Sequence, residues 1–401
     1  MERVYEKLCF ECRACEQICP KHAISMCEDY EGFCYPVIDP NNCIDCGLCN
    51  KVCPGNHPNE LKHKHLHVYA VQIKDEETLL HSSSGGLFTL FSEYILEKGG
   101  IVYGAAFDEN MNCHHIGVTD VSQLSALRGS KYVHSDIRNS FIEIREHLKS
   151  GRIVYFTGTP CQVAGLKLFL RQDYDNLLTS DLICHGTPSQ KLFSLFVRGM
   201  EEDVGKKIIG WDFRDKTLCG WSCTSSSSSI DAKGKRSHHI ANLNMTAYFQ
   251  AFIRGHAFRM DCYECPFACS ERVGDFTIGD YWGIKKIHPD FPNRKKGVSM
   301  LIINNKKAND IWEDLNERTI WMKSKMEYAL STSNRNLKQP SILPRERKDA
   351  YSKAFSDYKK FCNSYKDAYH RNRLYKTYYI NLFKKTRIGK LLYQILKGKK
   401  L

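Results

Sequence analysis

The chain has 401 residues, and at about 100–200 residues per domain this length predicts two or three domains. Its 42% hydrophobic and 26% charged residues exclude a mainly disordered chain and allow a sizeable core. Because no apolar stretch approaches about 18 residues and no apolar segment opens the sequence, we expect a cytoplasmic protein without a membrane-spanning helix.

The net charge of +13 has one location in the sequence. Residues 341–401 contain 17 Lys and Arg against 4 Asp and Glu, which accounts for the whole excess. The remaining residues contain 41 charges of each sign and are neutral as a group. A neutral body argues against a nucleic-acid partner.

Cysteines dominate the first predicted unit, residues 1–56. The chain has 19 cysteines, and ten of them lie within the first 53 residues. In a reducing compartment, clustered thiols more often bind a metal or perform redox chemistry than form disulfides. Two cysteine motifs with the same spacing lie 34 positions apart, which indicates an internal duplication. They are Cys9-x2-Cys12-x2-Cys15-x3-Cys19-Pro20 and Cys43-x2-Cys46-x2-Cys49-x3-Cys53-Pro54.

This spacing resembles that of a bacterial-type two-cluster ferredoxin, in which the fourth cysteine of each motif ligates the other [4Fe–4S] cluster. We therefore predict two crossed ligand sets. They are Cys9, Cys12, Cys15 and Cys53 for the first cluster, and Cys43, Cys46, Cys49 and Cys19 for the second. Structural zinc is the alternative, but triplets followed by Cys-Pro do not match the paired ligands of zinc sites. Cys27 and Cys34 match neither motif, and we interpret them as packing or exposed thiols.

A polar His/Lys linker over residues 57–67 precedes a segment, residues 68–335, with the pattern of an α/β domain. We predict strands over 68–73 and 101–107, with a helix between them over 87–98. Double glycine at 99–100 ends that helix.

Two repeated strand–turn–helix units indicate parallel β/α structure. Apolar runs over 152–156 and 177–183 each lead through a Gly-Thr-Pro turn into a predicted helix, over 161–170 and 189–200. An apolar run over 297–303 with a helix over 308–317 adds a third unit. The five-serine run at 225–229 fits either a flexible loop or an exposed strand.

Several cysteines of the body occupy positions suited to ligands. Cys161 begins a predicted helix, where unpaired N–H groups favour a thiolate, and Cys184 closes the next strand. Parallel neighbouring strands would bring both thiols to one carboxyl edge of the sheet, where such sheets bind ligands. With Cys262-x2-Cys265 they could form a third four-thiolate site. Buried, unliganded cysteines or half of a zinc site are the alternatives.

The body is similar to the coenzyme F-420 hydrogenase/dehydrogenase beta-subunit family from about residue 68 to residue 305. The residues that carry this resemblance are Ser84-Gly85-Gly86, Gly129-Ser130-Lys131-Tyr132, Gly158-Thr159-Pro160-Cys161-Gln162, Ile183-Cys184-His185-Gly186, Phe213-Arg214-x-Lys216, Cys262-x2-Cys265 and Gly279-Asp280-Tyr281-Trp282-Gly283. The resemblance implies an FAD-binding iron–sulfur flavoprotein. It also implies a third [4Fe–4S] cluster at Cys161, Cys184, Cys262 and Cys265, with Cys269 as a competing ligand.

Candidate flavin contacts follow from this resemblance. The loop at residues 82–86 opens a predicted helix and could contact a phosphate, although a plain helix cap is the alternative. Basic side chains could neutralise a diphosphate or lie solvated, and Trp282 could line the flavin or the core. The predicted cofactor-binding residues are Ser84, Gly85, Gly86, Lys131, Thr159, Arg214, Lys216 and Asp280. The catalytic candidates are His185, as a proton relay, and Lys131.

We therefore expect an α+β protein with a small ferredoxin-type 2[4Fe–4S] domain, an α/β flavoprotein domain and a basic helical tail over residues 336–401. The predicted function is an oxidoreductase that passes electrons between the clusters and FAD, and then to a small organic acceptor. A deazaflavin-like compound and a glycan-pathway intermediate are the candidate acceptors. A non-catalytic electron-transfer subunit that feeds a partner enzyme is the alternative, and a zinc-stabilised scaffold is a third class.

The tail interleaves apolar and basic residues from Leu382 to Lys397. This pattern predicts a peripheral contact with a membrane surface. Docking of an acidic ferredoxin or packing on the protein's own body are the alternatives.

Overall fold

A computed structural model describes residues 8–217, 220–222, 224–242, 246–331 and 334–365 of the protein. In the C-terminal segment it also describes residues 379, 380, 382, 383, 386, 388, 389 and 392. Among the described residues, no helix is long and apolar enough to cross a membrane.

The N-terminal unit is a small duplicated fold. Two short helices, α1 (Ala14–Ile18) and α2 (Leu48–Lys51), flank an antiparallel hairpin of β1 (Ile24–Glu28) and β2 (Cys34–Ile38). Each helix begins inside a cysteine motif, so the 34-residue repeat of the sequence is also a repeat of structure.

The repeat extends to the backbone conformation between the cysteines. Glu11 and Asp45, 34 positions apart, have φ angles of 55° and 50°. Arg13 and Gly47, at the starts of the two helices, have φ angles of 56° and 67°. Non-glycine residues rarely occupy this left-handed region, and they do so mostly where a functional loop requires it. Both cysteine loops are therefore wound in the same tight way.

The body is built on two sheets. The larger sheet has eight strands: β3 (His67–Ile73), β4 (Ile101–Phe107), β5 (Cys113–Val118), β6 (Val154–Gly158), β7 (Leu177–Leu182), β11 (Phe276–Asp280), β12 (Ser299–Ile303) and β13 (Thr319–Ser324). Their spatial order is β13-β3-β12-β11-β7-β6-β4-β5. The smaller antiparallel sheet has three: β8 (Lys207–Asp212), β9 (Thr224–Ile230) and β10 (Arg236–Asn242).

Helices surround these sheets. They are α3 (Glu76–Leu80), α4 (Leu87–Glu97), α5 (Leu124–Leu127), α6 (Ser140–Lys149), α7 (Pro160–Leu170), α8 (Gln190–Val204), α9 (Ala247–Ile253), α10 (Ile284–Ile287), α11 (Lys306–Leu315), α12 (Met326–Ser331), α13 (Arg347–Ser356) and α14 (Tyr358–Ser364). The predicted β3, β4, β6, β7, α4, α7 and α8 are confirmed, with small differences at their ends.

The parallel centre of the large sheet positions the candidate site. Strands β4, β6, β7 and β11 run parallel, and β6 lies directly beside β7. The carboxyl ends of β6 and β7 therefore meet at one edge, as the sequence predicts.

The prediction of a third parallel unit is wrong. Strand β12 is followed by α11, but it runs antiparallel to both of its neighbours, β11 and β3. The chain leaves β11 at Asp280 and re-enters the sheet at Ser299, which is the residue opposite Asp280 in the ladder. It therefore returns from the same edge, and a parallel strand would have required a crossover to the other edge.

The five-serine run forms a strand, but it is neither a flexible loop nor exposed. Strand β9 is the middle strand of the small sheet, and most of its side chains are buried. Strand β9 pairs with a strand on each side, so its backbone N–H and C=O groups have partners although the strand is buried. Serine side chains are small enough to be buried at this position.

The N-terminal unit packs on the face of the large sheet that carries α6 and α7. Phe10 and Val52 share a buried cluster with Phe156 of β6. Gly165 of α7 permits this approach, because a Cβ atom there would lie 2.9 Å from Sγ of Cys12. The opposite face of the sheet is covered by α4 and α11.

The beginning of the predicted basic tail packs on the body. The ring of Tyr351 in α13 is 1% exposed, and its hydroxyl donates to the carbonyl of Ala257 at 2.8 Å. The guanidinium of Arg347 pairs with Glu31 of the N-terminal unit, with an Nη1–Oε1 distance of 2.7 Å. Packing on the protein's own body thus accounts for residues 347–364. The basic amphipathic segment lies largely outside the described residues.

Candidate functional site

The second predicted ligand set surrounds one cavity at the protein surface. This cavity has a volume of about 790 Å³, and its lining includes Cys19, Cys43, Cys46 and Cys49. Cys43 and Cys46 are exposed, while the other two thiols are half-buried. These four residues are the crossed set that the duplicated motif predicts, with three cysteines from the second motif and Cys19 from the first. Cys27 is exposed and lies in β1, outside the cavity lining.

The first predicted ligand set is less exposed, because Cys12 and Cys15 are buried while Cys9 and Cys53 are half-buried. Burial raises the pKa of the thiols of Cys9, Cys12 and Cys15, and repulsion within the set raises it further. Repulsion of this kind acts between neighbouring thiols, as expected for one ligand set. Cys15 also interacts with Cys49 of the second set, so the two sets are neighbours.

Four further thiols meet at the carboxyl edge of β6 and β7. Burial raises the pKa of each of them, and repulsion by other thiols of the set adds to that rise for three of the four, all except Cys262. They are Cys161, Cys184, Cys262 and Cys265. Cys269 stays apart, and its thiol donates to the carbonyl of Glu271 at 3.1 Å.

The described part of the chain contains no three His, Cys, Asp or Glu side chains grouped as ligands of a single metal ion. A cubane differs in that its four thiolates are spaced around a cluster of iron atoms rather than around one ion. All three thiol sets have the donor chemistry of [4Fe–4S] ligands.

A cavity of about 1180 Å³ adjoins the third thiol set. Cys184 lies in its wall, and so does Thr159, whose hydroxyl oxygen is 3.1 Å from Sγ of Cys161. Of the predicted cofactor-binding residues, those that line this cavity are Ser84, Gly86, Lys131, Thr159, Arg214 and Asp280. The catalytic candidate His185 and Trp282 also line it. Gly85 and Lys216 lie outside the lining.

The loop at residues 82–86 leads into α4 at one end of this cavity. The N–H of Gly85 donates to Oγ of Ser299 at 2.8 Å, and a Cβ atom on Gly85 would overlap the carbonyl oxygen of Val71. The ammonium group of Lys216 donates to the carbonyl of Ser84 in this loop and to the carbonyl of Leu79 at the end of α3, the latter at 2.8 Å. Helix α4 begins at Leu87, and its N-cap residue, Gly86, has no side chain to bond the first N–H groups. Residues 86–89 line the cavity, so this end of the helix lies at the cavity wall.

Two of the predicted basic residues are occupied by protein partners. The ammonium group of Lys131 donates to three carbonyls at the end of α5, including that of Leu127 at 2.9 Å. The guanidinium of Arg214 pairs with Asp280 at 2.8 Å and donates to Tyr132. Burial lowers the pKa of Lys131 to about 8.

Arg214 and Asp280 are also part of an aromatic wall. The Trp221 indole N–H donates to Asp280 at 2.8 Å, and its ring stacks on Trp282 with a centroid distance of 4.7 Å. The guanidinium of Arg214 lies 5.2 Å from the centroid of Trp282. These contacts fix a flat, electron-rich surface at the cavity.

Sequence reasoning missed Arg128, which lines the same cavity. Its Nε atom is buried and has no hydrogen-bond partner among the described residues. Its Nη2 atom lies 3.9 Å from a carboxylate oxygen of Glu93, which is close to the longest distance at which an ion pair forms. Arg128 directly precedes the Gly129-Ser130-Lys131 motif, which was the available signal.

A strap that spans residues 334–344 forms another missed part of the cavity wall. The hydroxyl of Ser341 donates to the carbonyl of His185 at 2.7 Å, and the amide of Asn334 donates to that of Asp280 at 3.1 Å. Burial lowers the pKa of His185, against the effects of Asp280 and Asn336. The sequence assigns most of this strap to the tail, so its role depends on the fold.

The buried side chain of His115, which also lines the cavity, should make the stability of the folded protein depend on pH. Burial lowers its pKa to about 4, whereas an unfolded histidine titrates near 6.5. The free energy of unfolding is therefore highest, as far as His115 is concerned, above about pH 6.5. It falls by a total of about 3 kcal/mol as the pH drops toward 4, because the unfolded chain binds a proton that the folded protein does not. We expect His115→Gln to flatten this part of the curve of urea midpoint against pH. Parallel curves for the two proteins would contradict the assignment.

Comparison with known proteins finds two family models that match segments of the chain. Residues 8–56 match the 4Fe-4S dicluster domain family, and residues 151–327 match the family described as the C terminus of the coenzyme F420 hydrogenase/dehydrogenase beta subunit. Among solved structures, a chain of the F420-reducing [NiFe] hydrogenase complex from Methanosarcina barkeri is 18% identical, with a TM-score of 0.43. The match covers 76% of this chain and 95% of that one. No protein with a curated description matches.

Proposed function

Since this chain belongs to the coenzyme F420 hydrogenase/dehydrogenase beta-subunit family and carries a 4Fe–4S dicluster domain, we propose that it is an iron–sulfur flavoprotein oxidoreductase. The observation that carries the proposal is the position of the large cavity. Cys184 and Thr159 lie in its wall, so the third thiol set directly adjoins a cavity large enough for a cofactor.

The three thiol sets are arranged as a relay. The second set opens to solvent, the first lies against α7, and the third adjoins the large cavity. Cys15 and Cys49 interact across the first two sets. This order supports electron entry at the exposed set and delivery at the cavity.

We propose FAD as the occupant of the cavity. Bound flavin would join the one-electron chemistry of the clusters to two-electron hydride chemistry. The uncapped start of α4 offers N–H groups for a phosphate, and the unpartnered Nε of Arg128 offers a second donor. The wall of Trp282 and Arg214 would bound the flavin on another side.

Substitution of Arg128 tests the flavin assignment. We expect Arg128→Met to weaken flavin binding by about 10- to 150-fold and to lower the flavin retained per chain accordingly, because one charged phosphate contact is worth on the order of 1.5–3 kcal/mol. Arg318→Met is the matched control, since Arg318 pairs with the same Glu93 at 2.9 Å but lies outside the cavity lining. Flavin absorbance after anaerobic reconstitution and gel filtration gives the result. Equal flavin in both variants would contradict the assignment.

The final acceptor is proposed to be a small organic molecule, either deazaflavin-like or an intermediate of a glycan pathway. His185 and Lys131 are proposed to act near the reacting atoms, since both line the cavity. The alternative is a non-catalytic subunit that feeds a partner enzyme. The two functions separate in an assay in which the single purified protein is reduced and then offered candidate acceptors. Specific reoxidation by one of them supports the enzyme, and reoxidation only by a partner protein supports the alternative.

We retain the peripheral membrane contact as a proposal for the C-terminal segment. The described side chains of Ile380, Leu382, Phe383, Ile388 and Leu392 are between 42% and 67% exposed. Their basic neighbours in the sequence would favour anionic lipid. Co-sedimentation with anionic but not with neutral vesicles is the expected result, and a protein that sediments with neither would contradict it.

A further inference from the structure

Arg259 joins the N-terminal unit to the body and is only 1% exposed. Its Nε atom donates to the carbonyl of Cys9 at 2.5 Å, and its Nη1 atom donates to Glu11 at 2.9 Å. Its Nη2 atom donates to the carbonyl of Cys34 at 3.1 Å. The guanidinium also lies 4.0 Å from the centroid of the Tyr35 ring. The side chain is thus embedded in the cysteine-rich unit.

The backbone of the same residue is hydrogen-bonded to the segments that carry the third thiol set. The carbonyl of Arg259 accepts a hydrogen bond from the N–H of Cys262 at 3.0 Å. Its own N–H donates to the carbonyl of Thr187, in the loop that follows Cys184, at 3.0 Å. One residue therefore contacts the chain at Cys9 through its side chain and the chain at Cys262 through its backbone.

The charge of Arg259 lies beside the first set. Its guanidinium donates directly to the carbonyl of Cys9, a predicted ligand of the first cluster, at 2.5 Å. An arginine remains protonated in proteins. Its charge would therefore favour the reduced, more negative form of a neighbouring cluster.

We propose that Arg259 is a positioning residue of the electron relay, which sets the separation of the first and third clusters and raises the reduction potential of the cluster that Cys9 ligates. This inference rests on the proposed function. The two flanking carboxylates, Glu11 and Asp261, are paired with the guanidinium, so the arginine also prevents two uncompensated negative charges beside the relay.

The test compares four variants of the full chain reconstituted without oxygen. Arg259→Gln removes the charge. Arg259→Lys keeps the charge but cannot make the three guanidinium hydrogen bonds to Cys9, Glu11 and Cys34. Arg347→Gln and Arg347→Lys are the matched controls. Arg347 is equally buried and also joins the N-terminal unit to the body, but its partners are Glu31 and the carbonyl of Phe258.

Redox titration followed by electron paramagnetic resonance gives the first readout. We expect Arg259→Gln to shift the midpoint potential of one cluster to a more negative value, while Arg259→Lys restores most of the shift. Both Arg347 variants should keep the wild-type potentials. Unchanged potentials in a fully loaded Arg259→Gln protein would overturn the electrostatic part of the inference.

Hydrogen exchange of the cluster-free protein gives a second readout that does not depend on loading. We expect both Arg259 variants to lose amide protection around Cys9 and Cys262, and both Arg347 variants to retain it. Retained protection in Arg259→Lys would overturn the positioning role, even where Arg259→Gln fails to fold. A wild-type protein with about eight iron atoms instead of about twelve would instead count against the proposed function, because the third cluster would be absent.

Discussion

Replacing Cys184 with serine should remove about four iron atoms from a chain that otherwise carries about twelve, four for each cubane. Cys184 is the member of the third thiol set that both lines the large cavity and interacts with the Cys262 and Cys265 thiols. Serine occupies nearly the same volume but does not replace a thiolate ligand. The N-terminal sets share no ligand with this site, so about eight iron atoms should remain.

Cys269→Ser is the control for this experiment. Cys269 belongs to the same cysteine-rich segment, but its thiol donates to the carbonyls of Pro266 and Glu271. We expect this variant to keep the full iron content. Iron and acid-labile sulfide per chain, measured after anaerobic reconstitution, report the result. Equal iron in Cys184→Ser and wild type would show that Cys184 is a buried structural thiol.

Replacing Arg272 with methionine should produce the largest loss of stability. Arg272 and Asp181 are almost completely buried, and the guanidinium donates to Oδ1 of Asp181 from both Nε, at 3.1 Å, and Nη2, at 2.7 Å. Asp181 lies in β7, just before Cys184, so this pair also supports the carboxyl edge of the sheet. Removing one partner of a buried ion pair leaves an uncompensated charge and costs about 3–5 kcal/mol.

Urea unfolding of the full chain, compared at equal iron content, measures this effect. Arg318→Met removes a half-exposed ion pair with Glu93 and should cost only about 0–1 kcal/mol. A double variant, Arg272→Met with Asp181→Asn, should recover part of the loss because it leaves no buried charge. A loss in Arg272→Met no larger than that in Arg318→Met would contradict the role of this ion pair.

The most local features were predictable from the sequence. Eight N-terminal cysteines repeat at a fixed spacing, and the resemblance of that spacing to two-cluster ferredoxins predicts which four residues share each cluster. Strands β6 and β7 were predictable for a similar reason, because each apolar run is followed by a turn signal and a helical pattern. These patterns depend on contacts within a few tens of residues.

Features that depend on tertiary partners were not predictable in the same way. The direction of β12 is set by where the chain re-enters the sheet, and an apolar run is the same in either direction. Lys131 and Arg128 are both basic and lie three positions apart. Only the fold shows that Lys131 is bonded to the end of α5, while Nε of Arg128 has no partner in the part of the chain that the structure describes. The strap at residues 334–344 carries no motif at all.

Iron, acid-labile sulfide and flavin per chain, counted on wild-type protein reconstituted without oxygen, test the relay most directly. Three thiol sets and one adjoining cavity predict about twelve iron atoms, an equal amount of sulfide and one FAD. About eight iron atoms with no flavin would contradict this account. The protein would then be a ferredoxin-type unit on an α/β body whose Cys161, Cys184, Cys262 and Cys265 are buried thiols without a ligand role.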